Sequence, residues 1–383
     1  MTAIKKILRL LGKTALQFLQ SAGSRILGET GPIALVPSDL SAADRNDFLR
    51  RMAFYSPDTA SASAFRSSLG MREIFSSRPI LLYGTPLPHS WWSGLRTAVF
   101  DVDPRRNPHD GWAWCRFSKV GAPPSPDARP ARERLRARIA SLQAQGLSKC
   151  YIFGTGESLA QAIDRDWSDG YRIVCNTIVR DETLWRHINP HFIVAGDAIY
   201  HFGFTEFART FRADLAKRLR ETDTFFVYPD LFNEVVAREF GEFANRLIPI
   251  PAGKHVDIHV DLTKNFAMPA RGNVLNILLL PLACTLSKNV NLWGFDGRAP
   301  DDRLFWSNSK QHSYPELMST LQKAHPAFFE HYLPADKPDA YVKSVHGDQL
   351  DTALCVAEEQ GWHFMMMHKS WTPTLQKRFS SAG

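Results

Sequence analysis

The chain of 383 residues has no apolar run near the roughly 18 residues that a bilayer-spanning helix needs, which predicts a soluble globular protein. Cysteine is scarce. The five cysteines, Cys115, Cys150, Cys175, Cys284 and Cys355, are an odd number without a CxxC pair. That pattern excludes a disulfide framework and a structural zinc site, and it suits buried thiols in a reducing compartment. No GxxxxGK[ST] occurs, which argues against the common P-loop hydrolases, and no nucleic-acid recognition module is present. The sequence shows no internal repeat.

Acidic residues are missing from the first 28 positions, where Lys5, Lys6, Arg9, Lys13 and Arg25 lie among Ile4, Ile7, Leu8, Leu11, Phe18 and Leu19 at helical spacing. Residues 1–28 therefore predict a basic amphipathic helix, either lying on an anionic membrane surface or docked on the protein's own core. The overall surplus of Lys and Arg (46) over Asp and Glu (39) is compatible with an anionic ligand or an anionic surface. Residues 29–130 predict an irregular α+β extension, ending in the proline-rich linker Gly121–Asp127.

From residue 131 to 372 short apolar strands alternate with amphipathic helices. Strands are predicted at 150–153, 171–175, 191–195, 224–228, 289–293 and 363–366, and helices at 132–145, 158–167, 207–220, 275–286 and 349–359, followed by a tail at 373–383. Such alternation predicts an α/β fold with a doubly wound, mostly parallel, Rossmann-like sheet, with its ligand at the carboxyl ends of the strands. Arg132 to Arg138 is expected to form a solvated helix face. Residues 298–345 are too long for an ordinary connection and predict a lid, containing Arg303, His312, Ser313 and Tyr314.

Several strand ends carry chemistry. Gly154-Thr155-Gly156-Glu157-Ser158 follows the first strand of this region and opens a helix, a geometry that brings N–H groups toward a phosphate or serves as a plain turn. The third glycine of a dinucleotide fingerprint is replaced by Leu159, and the second strand ends in Cys175-Asn176 where a dehydrogenase has an acid. Asn176 is suited to hydrogen-bonding a base or sugar. Asp197, after Gly196, orients a sugar or caps a helix, and Gly294-Phe295-Asp296 again permits close backbone approach. His346 stands between the lid and the last helix as a candidate general base. Asp101-Val102-Asp103 imitates a metal-binding DxD but reads as a turn, so no metal site is expected.

The order of these motifs over about residues 148–370 resembles the bacterial sialyltransferases of glycosyltransferase family 42. The related flagellin-modifying and pterin pyrophosphokinase-like proteins share part of the pattern. The resemblance implies a GT-A-variant fold and an inverting, metal-independent transfer of a nonulosonic-acid-type sugar from a CMP-sugar, which is substrate and not cofactor, to a glycan or glycolipid. It implies that Gly154, Thr155, Gly156, Ser158, Asn176, Asp197, Gly272, Gly294 and Asp296 bind the donor, that Tyr314 or His312 holds its phosphate, and that His346 deprotonates the acceptor. The expected location is the cytoplasmic face of a membrane, with no nucleic-acid partner and the oligomeric state open. This sequence departs from the family at Glu157, at Gly196-Asp197 and at Ala270-Arg271-Gly272. The alternatives are a Mg-dependent pyrophosphokinase-like phosphotransferase using Asp197 and Asp296, and a non-catalytic nucleotide- or glycan-binding protein.

Overall fold

The structure, a computed structural model, describes residues 32–60, 64–68, 78–85, 99–121, 128–258, 260–299, 313–332 and 347–379. The amphipathic stretch 1–28, Arg303, His312 and His346 lie outside the described residues. The chain divides into two compact units: residues 1–123 with 325–328, and residues 124–324 with 329–383.

The first unit corrects the expectation of an irregular α+β extension. Its strands β1 (Ile33–Leu35), β2 (Ala64–Arg66), β3 (Ile80–Leu82) and β4 (Val99–Asp101) form a fully parallel sheet in the order β2-β1-β3-β4. Ile33, Leu35, Ile80 and Leu82 make its apolar seam. The helix Ala42–Tyr55 starts where the Ser41 hydroxyl accepts the Asp44 N–H, and its Phe48 meets Tyr83 and Trp114. Beneath it, Arg51 bonds Asp47 at 2.7 Å and Asp110 at 3.1 Å, while His325 Nδ1 lies 2.8 Å from Asp110. Arg51, Asp110 and His325 are all buried, so the Arg51–Asp110 ion pair depends on its protein partners for its missing solvation.

The second unit holds seven parallel strands: β5 (Lys149–Phe153), β6 (Gly170–Cys175), β7 (Phe192–Val194), β8 (Phe225–Pro229), β9 (Leu247–Ile250), β10 (Asn289–Trp293) and β11 (His363–Met366). Their order, β11-β10-β5-β6-β7-β8-β9, establishes the expected Rossmann-like α/β arrangement. Strand β9 was not foreseen, because Pro249 interrupts it. At the sheet edge a residue without an N–H is tolerated.

The helix Ala128–Gln143 buries Ala131, Leu135, Ile139 and Leu142 along one face. Its arginines are exposed or half-buried, as their spacing suggests, and they also tie the helix to neighbouring segments. Arg132 and Arg136 donate to the Thr263 carbonyl, Arg134 to the Leu247 carbonyl at 2.9 Å, and Arg138 to Asp223. The segment Leu275–Leu286 is buried nearly all round, and its first turn is wide (π, Leu275–Leu279) just before Pro281. A proline there cannot donate to the preceding turn, and the wider turn accommodates it. Four of the five cysteines are buried, and burial pushes the Cys175 thiol up to about 12.

Candidate functional site

Strand order and chain order part company between β5 and β10: from β5 the chain winds one way through β9, then returns to place β10 and β11 on β5's other side. Such a reversal opens a crevice at the strand carboxyl ends. Here the crevice is closed by the chain itself. Gly154 N–H donates to the Trp293 carbonyl at 2.8 Å and Gly156 N–H to the Gly294 carbonyl at 2.9 Å. Gly294 has φ of 77°, and a Cβ on either Gly154 or Gly294 would overlap the other's carbonyl. Only glycine fits this crossing.

Asp296 takes the place at the head of the helical turn Glu157–Asp164 that the glycine motif predicts for a phosphate. Its carboxylate accepts from Ser158 N–H at 3.2 Å and from Ser158 Oγ at 2.9 Å, and a Cβ on Gly156 would overlap it. The donor groups of Gly154, Gly156 and Ser158 are thus engaged internally, and an anion reaches Ser158 N–H only by displacing Asp296. Sequence separation of 138 residues hides this pairing from any local motif.

A residue that sequence reasoning missed completes the cluster. His368 Nδ1 faces the Lys369 carbonyl at 2.8 Å and so carries the proton, leaving Nε2 to accept from Gly294 N–H at 2.9 Å. Ser158 Oγ lies 2.8 Å from the same Nε2, so its single hydroxyl proton has two acceptors, His368 and Asp296. This is not a nucleophilic triad. The carboxylate sits on the serine, 4.0 Å from His368 Nδ1, instead of behind the imidazole. The cluster is a clasp between β5, β10 and the loop after β11. A lone histidine in a loop carries no spacing signal that would have revealed it.

Two strand ends further along the sheet hold polar groups of a different kind. Asn176, directly after β6, adopts φ of 52°, and its Oδ1 is buried without a hydrogen-bond partner. Across the β6–β7 pairing, where Cys175 faces Val194, the chain runs on through Gly196 to Asp197. Asp197 Oδ1 accepts from Ile199 N–H at 2.9 Å and Tyr200 N–H at 3.1 Å, so the residue does cap a turn. Burial nevertheless raises its carboxyl to about 6, the two N–H bonds opposing the shift only in part. The neighbouring His201, lowered to about 3 by burial, is neutral and accepts the Asp197 N–H at Nδ1. Ile277 and Leu278 lie within 4 Å of where a Gly196 Cβ would stand, so the apolar helix forms the floor at this point.

Gly272 precedes that helix, and its carbonyl accepts from Asn276 Nδ2, while Asn273 Oδ1 caps Asn276 N–H at 2.9 Å. Adjacent Arg271 donates at 2.7 Å to the carbonyl of Gln349, the head of the helix that follows His346 in sequence. In the described part of the insertion, Tyr314 is buried. Its hydroxyl donates to Asp214 at 2.6 Å and its ring meets Phe207, while Arg180 donates to the Ser313 carbonyl. Tyr314 therefore anchors the insertion to the helix Glu206–Glu221 and does not offer its hydroxyl to a phosphate.

The DxD pair belongs to the first unit and is closed by arginines: Arg106 binds Asp101 at 2.9 Å, and Arg105 binds Asp103 at 3.0 Å. Among the described residues no cluster of three or more His, Cys, Asp or Glu side chains is arranged to hold a metal ion, and no helix is long and apolar enough to cross a membrane. A scan of the chain against protein-family models and a search of curated proteins each found no match.

Proposed function

We propose that the chain is a glycosyltransferase that takes a nonulosonic-acid-type sugar from a CMP-sugar, without a metal, to a glycan or glycolipid acceptor at the inner face of a membrane. The observation that carries this reading is Asn176, whose buried Oδ1 has no partner at the carboxyl end of a central parallel strand. An unpaired buried acceptor costs about 1 to 3 kcal/mol, which a ligand donor would recover. The exocyclic amine of cytosine and a ribose hydroxyl are donors of the right kind. With Asp296 latched onto Ser158, nucleotide recognition rests in this reading on Asn176, Asp197 and the Gly272 turn more than on the glycine turn.

In the proposed reaction the acceptor oxygen bonds to the anomeric carbon as the bond to the CMP phosphate breaks. His346 takes the acceptor proton. CMP is a stable leaving group, so the protein's work is chiefly placement and charge stabilisation. A thermal-shift panel of CMP, CDP, UDP, GDP, ATP and NAD, each with and without Mg²⁺, tests the reading. CMP should raise the melting temperature in the absence of metal. A shift seen only with ATP and Mg²⁺ would replace it with a phosphotransferase.

A further inference from the structure

The loop after β11 inverts the usual partition of side chains. Ser370 and Thr372 are buried at 7% and 5% exposure, while Trp371 between them is 61% exposed. Small polar residues point inward and the largest apolar side chain of the loop points to solvent. Nor is the loop slack. Ser370 Oγ donates to the Phe295 carbonyl at 2.7 Å, Trp371 N–H to the Asp296 carbonyl at 2.6 Å, and Ser370 N–H to Gln376 Oε1 at 2.9 Å. Thr372 N–H donates to Ser370 Oγ at 3.1 Å, and His368 is clasped by Ser158 and Gly294. Gly297, with φ of 75°, lets the turn after β10 lie directly against Thr372, since a Cβ there would come within 2.6 Å of Thr372 N.

From this we infer that Trp371 is a stacking platform for a saccharide ring, at the rim of the sheet beside the turn that carries Asp296. This rests on the proposed function and names the acceptor's point of contact. A pyranose has one face of C–H bonds, which lies flat on an indole, and an edge of hydroxyls that needs hydrogen-bonding groups alongside. The indole is carried on a backbone braced at Ser370, Trp371 and Thr372, and exposed Lys369 stands two residues before it as a hydrogen-bonding group. Insertion into lipid or docking of an apolar protein surface would call for several exposed apolar neighbours. In the loop after β11, Trp371 is the one large apolar residue among the described exposed ones, the others being Leu49, Val120, Ile163 and Val256 elsewhere in the sequence.

Saturation-transfer NMR on the full chain with lactose, N-acetyllactosamine, maltotriose and chitotriose tests the inference, alongside Trp371→Ala and Trp371→Phe. At least one of these sugars should receive saturation through its ring C–H protons. Trp371→Ala should weaken that binding about tenfold or more, and Trp371→Phe should restore part of it. Melting temperature should be unchanged in both, because the indole is in solvent. Absence of binding by all four sugars, equal binding by Trp371→Ala, or loss of anionic-liposome binding in its place would overturn the inference. Sugar binding that depends on Trp371 in a protein with no response to CMP would leave the platform standing and remove the glycosyltransferase reading.

Discussion

Asp197 shows what a single position at a strand end can do. One oxygen is held by two N–H groups, while burial raises the carboxyl to about 6. A carboxyl that binds its proton more tightly folded than unfolded favours the fold at low pH. That contribution is lost as pH rises from the ordinary carboxylate range through about 6. Asp197→Asn keeps the acceptor oxygen and removes the charge. Denaturation curves should therefore show the variant equal to wild type near pH 4 and more stable by about 1 to 3 kcal/mol near pH 8. A difference independent of pH would show that Asp197 does not titrate in this window. In the first unit, Asp110 is wholly enclosed between Arg51 and His325. Asp110→Ala should cost about 3 to 5 kcal/mol in equilibrium unfolding, because it leaves the Arg51 guanidinium buried without its main counter-charge.

Among elements, the switch between β5 and β10 depends on how closely two turns can approach. Gly156→Ala should destabilise by about 1 to 3 kcal/mol, since its methyl group needs the space that the Asp296 carboxylate fills. In an Asp296→Ser background the same substitution should cost less, the remainder coming from the Gly294 carbonyl 2.8 Å from the added methyl group, and a double-mutant cycle measures the coupling. Additive effects would mean that the two residues do not meet. The glycines and Asp296 were legible as strand-end motifs because each follows a clear apolar run. Their contact was not, because it joins segments far apart in the chain. Most strands of the large sheet were readable because short apolar-rich runs such as 150–153 and 173–175 stand between polar or glycine-bearing turns, whereas Pro249 hides β9. The helix Leu275–Leu286 was readable too, whereas its π turn arises from Pro281 and has no periodicity of its own.

On the scale of the whole molecule, both units are parallel α/β sheets, and only one was foreseen. The first unit's strands are three residues each, shorter than a period-two pattern needs to show itself among Pro, Ser and Arg. Its DxD motif gains its meaning only from Arg105 and Arg106, which neutralise it within the same turn. The candidate site was legible in position, at the strand ends, but not in detail: neither the latch of Asp296 nor His368 could be read from the sequence. The proposed nucleotide binding turns on Asn176, whose buried Oδ1 has no partner. Isothermal titration of CMP in EDTA, into wild type and into a folded Asn176→Ala variant, tests it most directly. Wild type should bind CMP saturably, and the substitution should weaken that binding about 10- to 100-fold. Absence of CMP binding, or equal affinity in both proteins, would contradict it.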